Sequence, residues 1–267
     1  ISSRRPRATT ASAKWTPWGP AKATGHGHEL HFREVVAADW SARRRHCAGT
    51  RPAASWAFPN ATAIHQSSPP SVIDSPAGLY ADGPRGVALV AHPHPLYGGT
   101  LDNKVAQTLA KTFVELGWVA VRPNFRGAGA SEGIHDHGEG ETEDMVAVAG
   151  QALERYPGLP VAGLVLAGFS FGAFIQTRVA KRVAARRLVL VAPPSGLVGD
   201  ERSYVTEDVP ADTIVIHGEQ DETVPLANVF DWARPQELPI VVIPGADHFF
   251  HRRLHLIRNI VKGAWRD

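Results

Sequence analysis

Short apolar segments alternate with longer amphipathic segments from about Val72 to the end of the chain. The apolar runs have the length of buried strands, and the longer segments carry the spacing of helices. Each predicted strand is separated from the next by a crossover long enough to hold a helix. The predicted strands are 87–91, 118–121, 164–167, 188–192, 213–216 and 240–243, and the predicted helices are 104–116, 141–156, 171–185 and 251–265.

This alternation constrains the fold more than any other feature of the sequence. A strand, a crossover helix and a parallel strand connect with right-handed geometry, and the helices then cover both faces of the sheet. We therefore predict an α/β domain over residues 71–267 with a mostly parallel central sheet. The chain has 267 residues and 43% hydrophobic residues, which is enough for one large buried core.

The first 70 residues differ from the rest in charge and composition. They hold ten Lys/Arg and three Asp/Glu, a net charge of +7, whereas residues 71–267 hold 18 and 23, a net charge of −5. No sustained period of 2 or 3.6 is present before residue 71, so we expect a basic extension with little regular structure. It is rich in arginine and contains four tryptophans: Trp15, Trp18, Trp40 and Trp56.

Four interpretations of this extension are open. Its Arg, Ser and Ala content suggests a transit peptide, but no convincing amphipathic helix follows. A secretory signal would need an apolar stretch that the segment lacks, and a nucleic-acid-binding arm would need a motif to organise its arginines. We favour an extension, left by cloning or by the choice of start site, that packs loosely on the domain. We accordingly expect no nucleic-acid partner.

Cysteine content and apolar run length limit the class of protein further. Cys47 is the single cysteine of the chain, so the sequence contains neither an internal disulfide nor a cysteine-based metal site. The longest apolar runs, such as 163–167 and 240–243, fall far short of the roughly 20 residues of a membrane span. We expect a cytoplasmic protein without a membrane partner, either monomeric or homodimeric.

Residues 168–172 read Gly-Phe-Ser-Phe-Gly directly after the predicted strand 164–167. A serine at a sharp turn from a strand into a helix projects its hydroxyl above the sheet, and glycines two residues away on each side leave the backbone room. The N–H of Phe171 then lies at a helix N-terminus, where negative charge on a reacting oxygen is stabilised. The pattern predicts Ser170 as a nucleophile and Phe171 as an oxyanion donor.

An acid and a histidine follow two later strands of the predicted sheet. Asp221 comes after the strand 213–216, and His248 comes after the strand 240–243. Because reactive groups of a parallel sheet gather at the carboxyl ends of its strands, we expect both side chains near Ser170. A serine hydroxyl needs an imidazole to accept its proton, and the imidazole needs a carboxylate to orient it. The sequence therefore predicts the catalytic triad Ser170, His248 and Asp221.

Neighbouring residues offer alternatives for the acid and the base. Glu219 and Glu222 flank Asp221, but Asp221 lies just before Thr-Val-Pro, which would start the next helix, and we favour it. Asp247 is more typical of a turn or cap residue. Three other histidines are candidates for the base: His217, interpreted as a structural strand-end residue, and His251 and His255, expected inside the terminal helix.

A second oxyanion donor should come from the loop after the strand 87–91. Pro93 and Pro95 have no N–H, which leaves His94, Leu96 and Tyr97 as backbone candidates. We choose Leu96, with Tyr97 second.

Histidines in two predicted loops also raise the question of a metal site. His92 and His94 follow one strand, and the run His135-Asp136-His137 follows another. Neither pair has a further ligand at a familiar metal-binding spacing. We expect these histidines to line or rim a pocket, and we predict neither a metal site nor a cofactor.

Five ordered segments together resemble the α/β-hydrolase superfamily, and within it the small bacterial hydrolases related to dienelactone hydrolases. The resemblance covers about residues 72–267, and the basic extension lies outside it. Dienelactone hydrolases use a cysteine nucleophile, whereas this sequence has Ser170, which points to ester hydrolysis instead. The segments are His92-Pro-His-Pro-Leu-Tyr-Gly-Gly-Thr100, Arg122-Pro-Asn-Phe-Arg-Gly-Ala-Gly-Ala-Ser-Glu-Gly133, the 168–172 pentapeptide, His217-Gly-Glu-Gln-Asp221 and Gly245-Ala-Asp-His-Phe249.

The resemblance implies an α/β-hydrolase fold and a serine esterase that acts through an acyl-enzyme. Many larger α/β-hydrolases insert a helical lid after the sixth strand, but residues 193–210 are too few for a substantial lid. The implied substrates are small or short-acyl esters, and the same triad would also serve a thioesterase or a peptidase. A non-catalytic binding module of this fold is a further alternative. We expect Tyr97, Phe169 and Phe249 to contact substrate, with Phe171 and Phe250 also near the rim, although each phenylalanine could equally be an ordinary core residue.

Overall fold

The structure, a computed structural model, describes residues 71–73, 85–156, 163–199 and 201–265. The basic extension of residues 1–70 lies outside the described residues, so its interpretation stays a prediction.

Nine strands and five α-helices make up the described part of the chain. The strands are β1 (Ser71–Ile73), β2 (Val87–Ala91), β3 (Val119–Arg122), β4 (Leu164–Phe169), β5 (Arg187–Val191), β6 (Gly196–Val198), β7 (Arg202–Tyr204), β8 (Ile214–Gly218) and β9 (Ile240–Ile243). The helices are α1 (Lys104–Glu115), α2 (Glu139–Arg155), α3 (Phe171–Ala180), α4 (Leu226–Ala233) and α5 (Leu254–Ala264). Short 3₁₀ helices cover Pro95–Tyr97 and Arg234–Gln236.

Seven strands form one sheet in the order β1-β3-β2-β4-β5-β8-β9. All neighbouring pairs are parallel except β1 and β3, which pair antiparallel. The chain moves to one side of β2 to form β3 and then to the other side to form β4, so the order of the sheet reverses between β2 and β4. The carboxyl ends of strands at such a reversal form a crevice that commonly holds the reactive site.

Helices cover both faces of this sheet, which confirms the predicted fold class. Alternate residues of β4 point to opposite faces: Leu166 belongs to one buried cluster and Val165 to the other. The first cluster includes residues of α2, α3 and α4, and the second includes residues of α1 and α5. Strands buried on both faces explain why these segments read as continuous apolar runs.

The structure departs from the predicted elements most clearly at three points: the end of α3, the start of α5 and residues 193–210. Helix α3 ends at Ala180, five residues before the predicted end, and α5 begins at Leu254, so His251 lies in the turn before it. Residues 193–210, predicted too short for a lid, contain the two-stranded hairpin β6–β7. Asn228 at the start of α4 donates hydrogen bonds to the carbonyls of Ser195 and Leu197 and so fastens the hairpin at the carboxyl edge of the sheet.

Among the helices that the structure describes, none is long and apolar enough to cross a membrane. The expected cytoplasmic location stays a prediction.

His92 joins the loops that follow β2 and β3. Its side chain is fully buried; Nε2 accepts a hydrogen bond from the N–H of Phe125 at 2.9 Å, and Nδ1 donates to the carbonyl of Pro93 at 2.6 Å. Burial lowers the pKa of His92 to about 4, although the bond to Pro93 opposes the shift. The neutral ring therefore ties the two loops together beneath the crevice, and it does not rim the pocket as we expected.

This burial predicts that acid will destabilise the fold through His92. The folded-state pKa lies below the ordinary value of 6.5, so below pH 6.5 the unfolded chain binds more protons, and stability falls as the pH is lowered towards 4. The difference corresponds to about 3 kcal/mol for this residue. Urea unfolding at several pH values should show a shallower loss of unfolding free energy in His92→Gln than in the wild type. His255→Gln, at an exposed position of α5, is the control and should keep the wild-type slope; equal slopes in all three proteins would contradict the assignment.

Candidate active site

Ser170 occupies a sharp turn between β4 and α3. Its backbone has φ 54° and ψ −124°, a region that residues with a side chain seldom adopt. The N–H of Ser170 donates to the carbonyl of Val191 at 2.9 Å, which anchors the turn to the neighbouring strand β5. The turn holds the hydroxyl at the carboxyl edge of the sheet, and the side chain is 8% exposed.

The glycines on each side of Ser170 let this turn form against its neighbours. A Cβ at Gly168 would lie 2.4 Å from the backbone carbon of Gly172. A Cβ at Gly172 would lie 2.4 Å from the carbonyl oxygens of Ala91 and His92. Any larger residue would push α3 away from the end of β2, so both glycines are required by packing as well as by the pattern.

Ser170, His248 and Asp221 lie within hydrogen-bonding distance of one another. Nε2 of His248 is 3.1 Å from Oγ of Ser170, and Nδ1 of His248 is 2.7 Å from Oδ2 of Asp221. A carboxylate only accepts hydrogen bonds, so Nδ1 of the neutral imidazole carries the proton and Nε2 accepts from the serine hydroxyl. The structure therefore brings together the three side chains that the strand ends predicted.

Backbone hydrogen bonds hold the loops that carry Asp221 and His248 together. The N–H of Gln220 donates to the carbonyl of Ala246 at 2.9 Å, and the N–H of Glu219 donates to that of Ile243 at 3.1 Å. The carboxylate is fixed in turn, since its Oδ1 accepts the N–H groups of Thr223 at 2.9 Å and Val224 at 2.7 Å. Oδ2 is left directed at the imidazole.

The alternative acids and bases have other partners. Glu219 accepts the N–H of Gly245 at 2.7 Å and so joins the two loops, while Glu222 is exposed. Asp247 accepts the N–H of His251 at 3.0 Å, and its Oδ2 lies 2.6 Å from Nδ1 of the same residue. This pair forms a turn at the surface, which agrees with the interpretation of Asp247 as a turn residue.

His217 is a buried structural histidine, as the sequence suggested. Its Nε2 is 3.0 Å from the carbonyl of Val224 and 3.5 Å from Oδ2 of Asp221. Complete burial lowers the pKa of His217, with the nearby Asp221 opposing the shift. The neutral ring supports the loop that presents Asp221.

One of the two backbone amides that we expected to bind an oxyanion, that of Leu96, already has a hydrogen-bond partner. Phe171 is the first residue of α3, so its N–H has no acceptor within the helix. The N–H of Leu96, our predicted second donor, is directed at Nδ1 of His94 at 3.3 Å, and that of Tyr97 donates to the carbonyl of His94 at 3.2 Å. Both amides are thus engaged within their own turn. In the described part of the chain the N–H of His94 makes no hydrogen bond.

The aromatic residues predicted to contact substrate lie in three different environments. Phe169 is fully buried, with its ring 4.9 Å from the ring of His248, so it supports the imidazole and is not open to a ligand. Phe249 is 43% exposed, with its ring 5.1 Å from that of His248. Tyr97 is 68% exposed on the opposite loop. Phe171 and Phe250, also placed near the rim by the sequence, are buried.

Histidines form the wall of the crevice beside Phe171. The ring of His94 lies 4.7 Å from that of Phe171 and 4.5 Å from that of His135, and the ring of His137 is 5.1 Å from that of His135. The pKa of His94 is lowered to about 4, mainly by burial and then by the charges of His135 and Arg202. No group of three or more metal-binding side chains lies close together in the described residues.

Beneath this wall, two buried carboxylates hold the loop after β3. Glu141 is fully buried, accepts the N–H groups of Asp136 and Gly138 at 2.9 Å each, and has Oε1 2.8 Å from Nδ1 of His135. Arg126 makes two hydrogen bonds to Asp144, of 2.8 Å and 2.6 Å. Arg126 is thus a structural anchor of this loop.

Sequence reasoning missed the contribution of the hairpin β6–β7. Arg202 lies over the ring of Tyr97, 4.5 Å from its centroid, and Tyr204 packs on Phe174 of α3 with ring centroids 5.1 Å apart. Each strand has only three residues, which is too few to give a recognisable period in the sequence. Their position after β5, at the edge that carries Ser170, was the available clue.

Comparisons with known proteins agree with this geometry. The sequence model of the X-Pro dipeptidyl-peptidase (S15) family matches residues 75–208. An uncharacterized protein of Rickettsia prowazekii is 33% identical over 172 residues, which cover 61% of this chain and 71% of that protein.

Two solved structures are similar along most of their length. A lidless α/β serine hydrolase of Xanthomonas campestris is 37% identical with a TM-score of 0.64, and the match covers 72% of this chain and 85% of that one. An α/β serine hydrolase homologue of Coxiella burnetii is 34% identical with a TM-score of 0.64, and the match covers 79% of this chain and all of that one. Fold, serine turn and sequence similarity together show that this chain is a hydrolase that belongs to the α/β-hydrolase superfamily.

Proposed function

We propose that this protein is a serine carboxylesterase that hydrolyses small or short-acyl esters through an acyl-enzyme. The observation that carries the proposal is the continuous hydrogen-bonded series from Ser170 through His248 to Asp221, at 3.1 Å and 2.7 Å. This arrangement is the one that activates a hydroxyl for attack on a carbonyl carbon.

The first half-reaction forms the acyl-enzyme. Oγ of Ser170 attacks the ester carbonyl carbon while its proton passes to Nε2 of His248, and the carbonyl oxygen becomes an oxyanion. When the tetrahedral intermediate collapses, the bond to the alcohol oxygen breaks, and His248 gives its proton to the departing alkoxide. Asp221 stabilises the imidazolium between these two proton transfers.

The second half-reaction releases the acid. A water molecule loses a proton to Nε2 of His248 and attacks the acyl carbon, which forms a second oxyanion. Collapse of this intermediate breaks the bond to Oγ, and the proton returns from His248 to Ser170. The sum is one ester and one water giving one alcohol and one acid, with the enzyme regenerated and no cofactor consumed.

The oxyanion in our proposal is bound by the N–H groups of Phe171 and His94. The first lies at the N-terminus of α3, where the helix dipole also favours negative charge. His94 follows β2, which neighbours β4, and its ring lies beside that of Phe171. Its amide is free of the turn that engages Leu96 and Tyr97, so we assign it the role that we expected for Leu96.

The size of the substrate follows from the segment between β5 and β8. A short hairpin occupies this segment, and the structurally similar Xanthomonas hydrolase is described as lidless. An open crevice buries less of a long acyl chain than a lidded one does, and it therefore favours small esters.

Replacing the nucleophile should abolish hydrolysis. Ser170→Ala removes the attacking oxygen, so we expect kcat/KM for 4-nitrophenyl butyrate to fall by at least about 10⁴-fold. Asp221→Asn should lose about 10³- to 10⁴-fold, since the imidazole then adopts the wrong tautomer. Wild-type rates in Ser170→Ala, with circular dichroism showing a folded protein, would refute the esterase mechanism.

The amide of His94 can be removed without disturbing its backbone. His94 has φ −55° and ψ 122°, values that proline adopts and that a residue before Pro95 requires. His94→Pro lacks both the N–H and the ring, whereas His94→Ala lacks the ring alone. We expect kcat in His94→Pro to be about 10²- to 10³-fold below that of His94→Ala. Equal kcat values in two folded variants would exclude this amide as a donor.

A peptidase is the second candidate, because the S15 family model matches residues 75–208. The same triad would cleave an amide bond, and the family's description specifies X-Pro dipeptides. Purified protein tested on 4-nitrophenyl butyrate and on a dipeptide Ala-Pro 4-nitroanilide separates the two. We expect Ser170-dependent turnover of the ester and a kcat/KM for the anilide at least about 10²-fold lower; the reverse preference would identify a peptidase.

A further inference from the structure

Arg202 places a cation at the rim of the crevice. The hairpin that carries it leaves the sheet after β5, whose last residue Val191 pairs with Phe169 at the end of β4. The guanidinium lies over the exposed ring of Tyr97 in the loop after β2, 4.5 Å from the centroid. Arg202 therefore bridges two loops on the edge of the sheet that carries Ser170.

This guanidinium has no carboxylate partner in the described part of the chain. The ion pairs there involve Arg122, Arg126, Arg178, Arg182, Arg234, Arg258 and Lys262, but not Arg202. Its contact is the ring of Tyr97, and its charge also acts on the nearby hydroxyl of Tyr204, whose pKa it lowers against the larger effect of burial. Glu201, next to it in the sequence, is exposed and does not pair with it. An arginine stays protonated, so a partly buried one that lacks a counter-ion among the described residues favours an incoming anion.

A continuous series of rings leads from this cation to the nucleophile. The ring of Tyr97 is 4.9 Å from that of His94, and the ring of His94 is 4.7 Å from that of Phe171, the residue after Ser170. The positive charge of Arg202 contributes to the low pKa of His94, which shows that the two groups interact. The histidine is neutral at pH 7, so it adds no second positive charge beside Arg202.

In the proposed mechanism, the loop on which Arg202 packs lies on the acyl side of the nucleophile. His248 has to protonate the departing alcohol, so the alcohol lies on the side of His248 and Phe249. His94, Tyr97 and Arg202 line the other side, next to Phe171. A substrate group reaching Arg202 therefore belongs to the acyl part of the ester.

We infer that Arg202 selects esters whose acyl chain ends in a carboxylate, that is, half-esters of short dicarboxylic acids. One guanidinium balances one negative charge and binds the two carboxylate oxygens with its fork of N–H groups. A phosphate dianion would need a second cation, which the neutral ring of His94 does not supply. The inference rests on the proposed esterase function and specifies its substrate class.

Two esters of equal acyl length test the inference. In 4-nitrophenyl hydrogen adipate the six-carbon acyl chain ends in a carboxylate, and in 4-nitrophenyl hexanoate it ends in a methyl group. We expect wild-type kcat/KM to be at least about tenfold higher for the adipate half-ester, with a preference that weakens as salt is added. In Arg202→Leu and Arg202→Gln the ratio of the two kcat/KM values should fall to about one or below.

Arg234→Leu is the matched control. Like the Arg202 substitutions, it removes one positive charge, but Arg234 follows the C-terminal end of α4, near the opposite edge of the sheet. We expect it to keep the wild-type ratio of the two kcat/KM values. A ratio unchanged in both Arg202 variants, or a wild type that prefers hexanoate, would overturn the inference while Ser170-dependent hydrolysis left the esterase proposal intact. Hydrolysis of both esters at wild-type rates by Ser170→Ala would instead refute the esterase proposal itself. Residual hexanoate hydrolysis in the Arg202 variants shows that they are folded.

Discussion

The close contact between the serine turn and the end of β2 is the constraint on which the rest of the site depends. Gly172 packs directly on the carbonyls of Ala91 and His92, at a distance that a single methyl group would block. This contact brings the first turn of α3 beside the loop after β2. In the mechanism that we propose, the amides of Phe171 and His94 therefore converge on one oxyanion. The same packing holds the strained backbone of Ser170 in place.

A second constraint aligns the acid and the base, which come from separate loops. The loop after β8 hydrogen-bonds to the loop after β9 through Gln220 and Glu219, and Gly218 allows the carbonyl of Ala246 to approach closely. The carboxylate of Asp221 is fixed by two backbone amides before it meets His248. Since each group is held by its own backbone, little reorganisation is needed when charge develops on the imidazole.

That Ser170, Asp221 and His248 come together could be predicted from the sequence because one topological rule locates them. In a parallel sheet the residues after each strand meet at one edge, so Ser170, Asp221 and His248 follow from recognising β4, β8 and β9. The choice between the amides of His94 and Leu96 could not be made in this way. It depends on how the turn at 94–97 closes on itself, and a sequence with two prolines permits more than one closure.

The sequence also could not separate rim residues from core residues. In the sequence, Phe169 and Phe249 are each adjacent to a residue of the site, Ser170 and His248 respectively. In the structure, alternation along β4 turns Phe169 inward beneath His248, whereas Phe249 lies in a loop and is half exposed. The hairpin β6–β7 has only three residues in each strand, too few to give a period. Both features depend on the path of the backbone, which local composition does not encode.

The abundance of histidine around the site has a physical explanation that also accounts for a single general base. An imidazole can fill an apolar gap and still hydrogen-bond to the backbone at both nitrogens, as His92 does with Phe125 and Pro93. Burial lowers the pKa values of His92, His94 and His217, so these rings remain neutral near pH 7 and place no positive charge beside the oxyanion region. His248 differs because a carboxylate faces one ring nitrogen and the serine hydroxyl faces the other. The geometry of its partners, and not the residue type, makes it the proton acceptor in the mechanism that we propose.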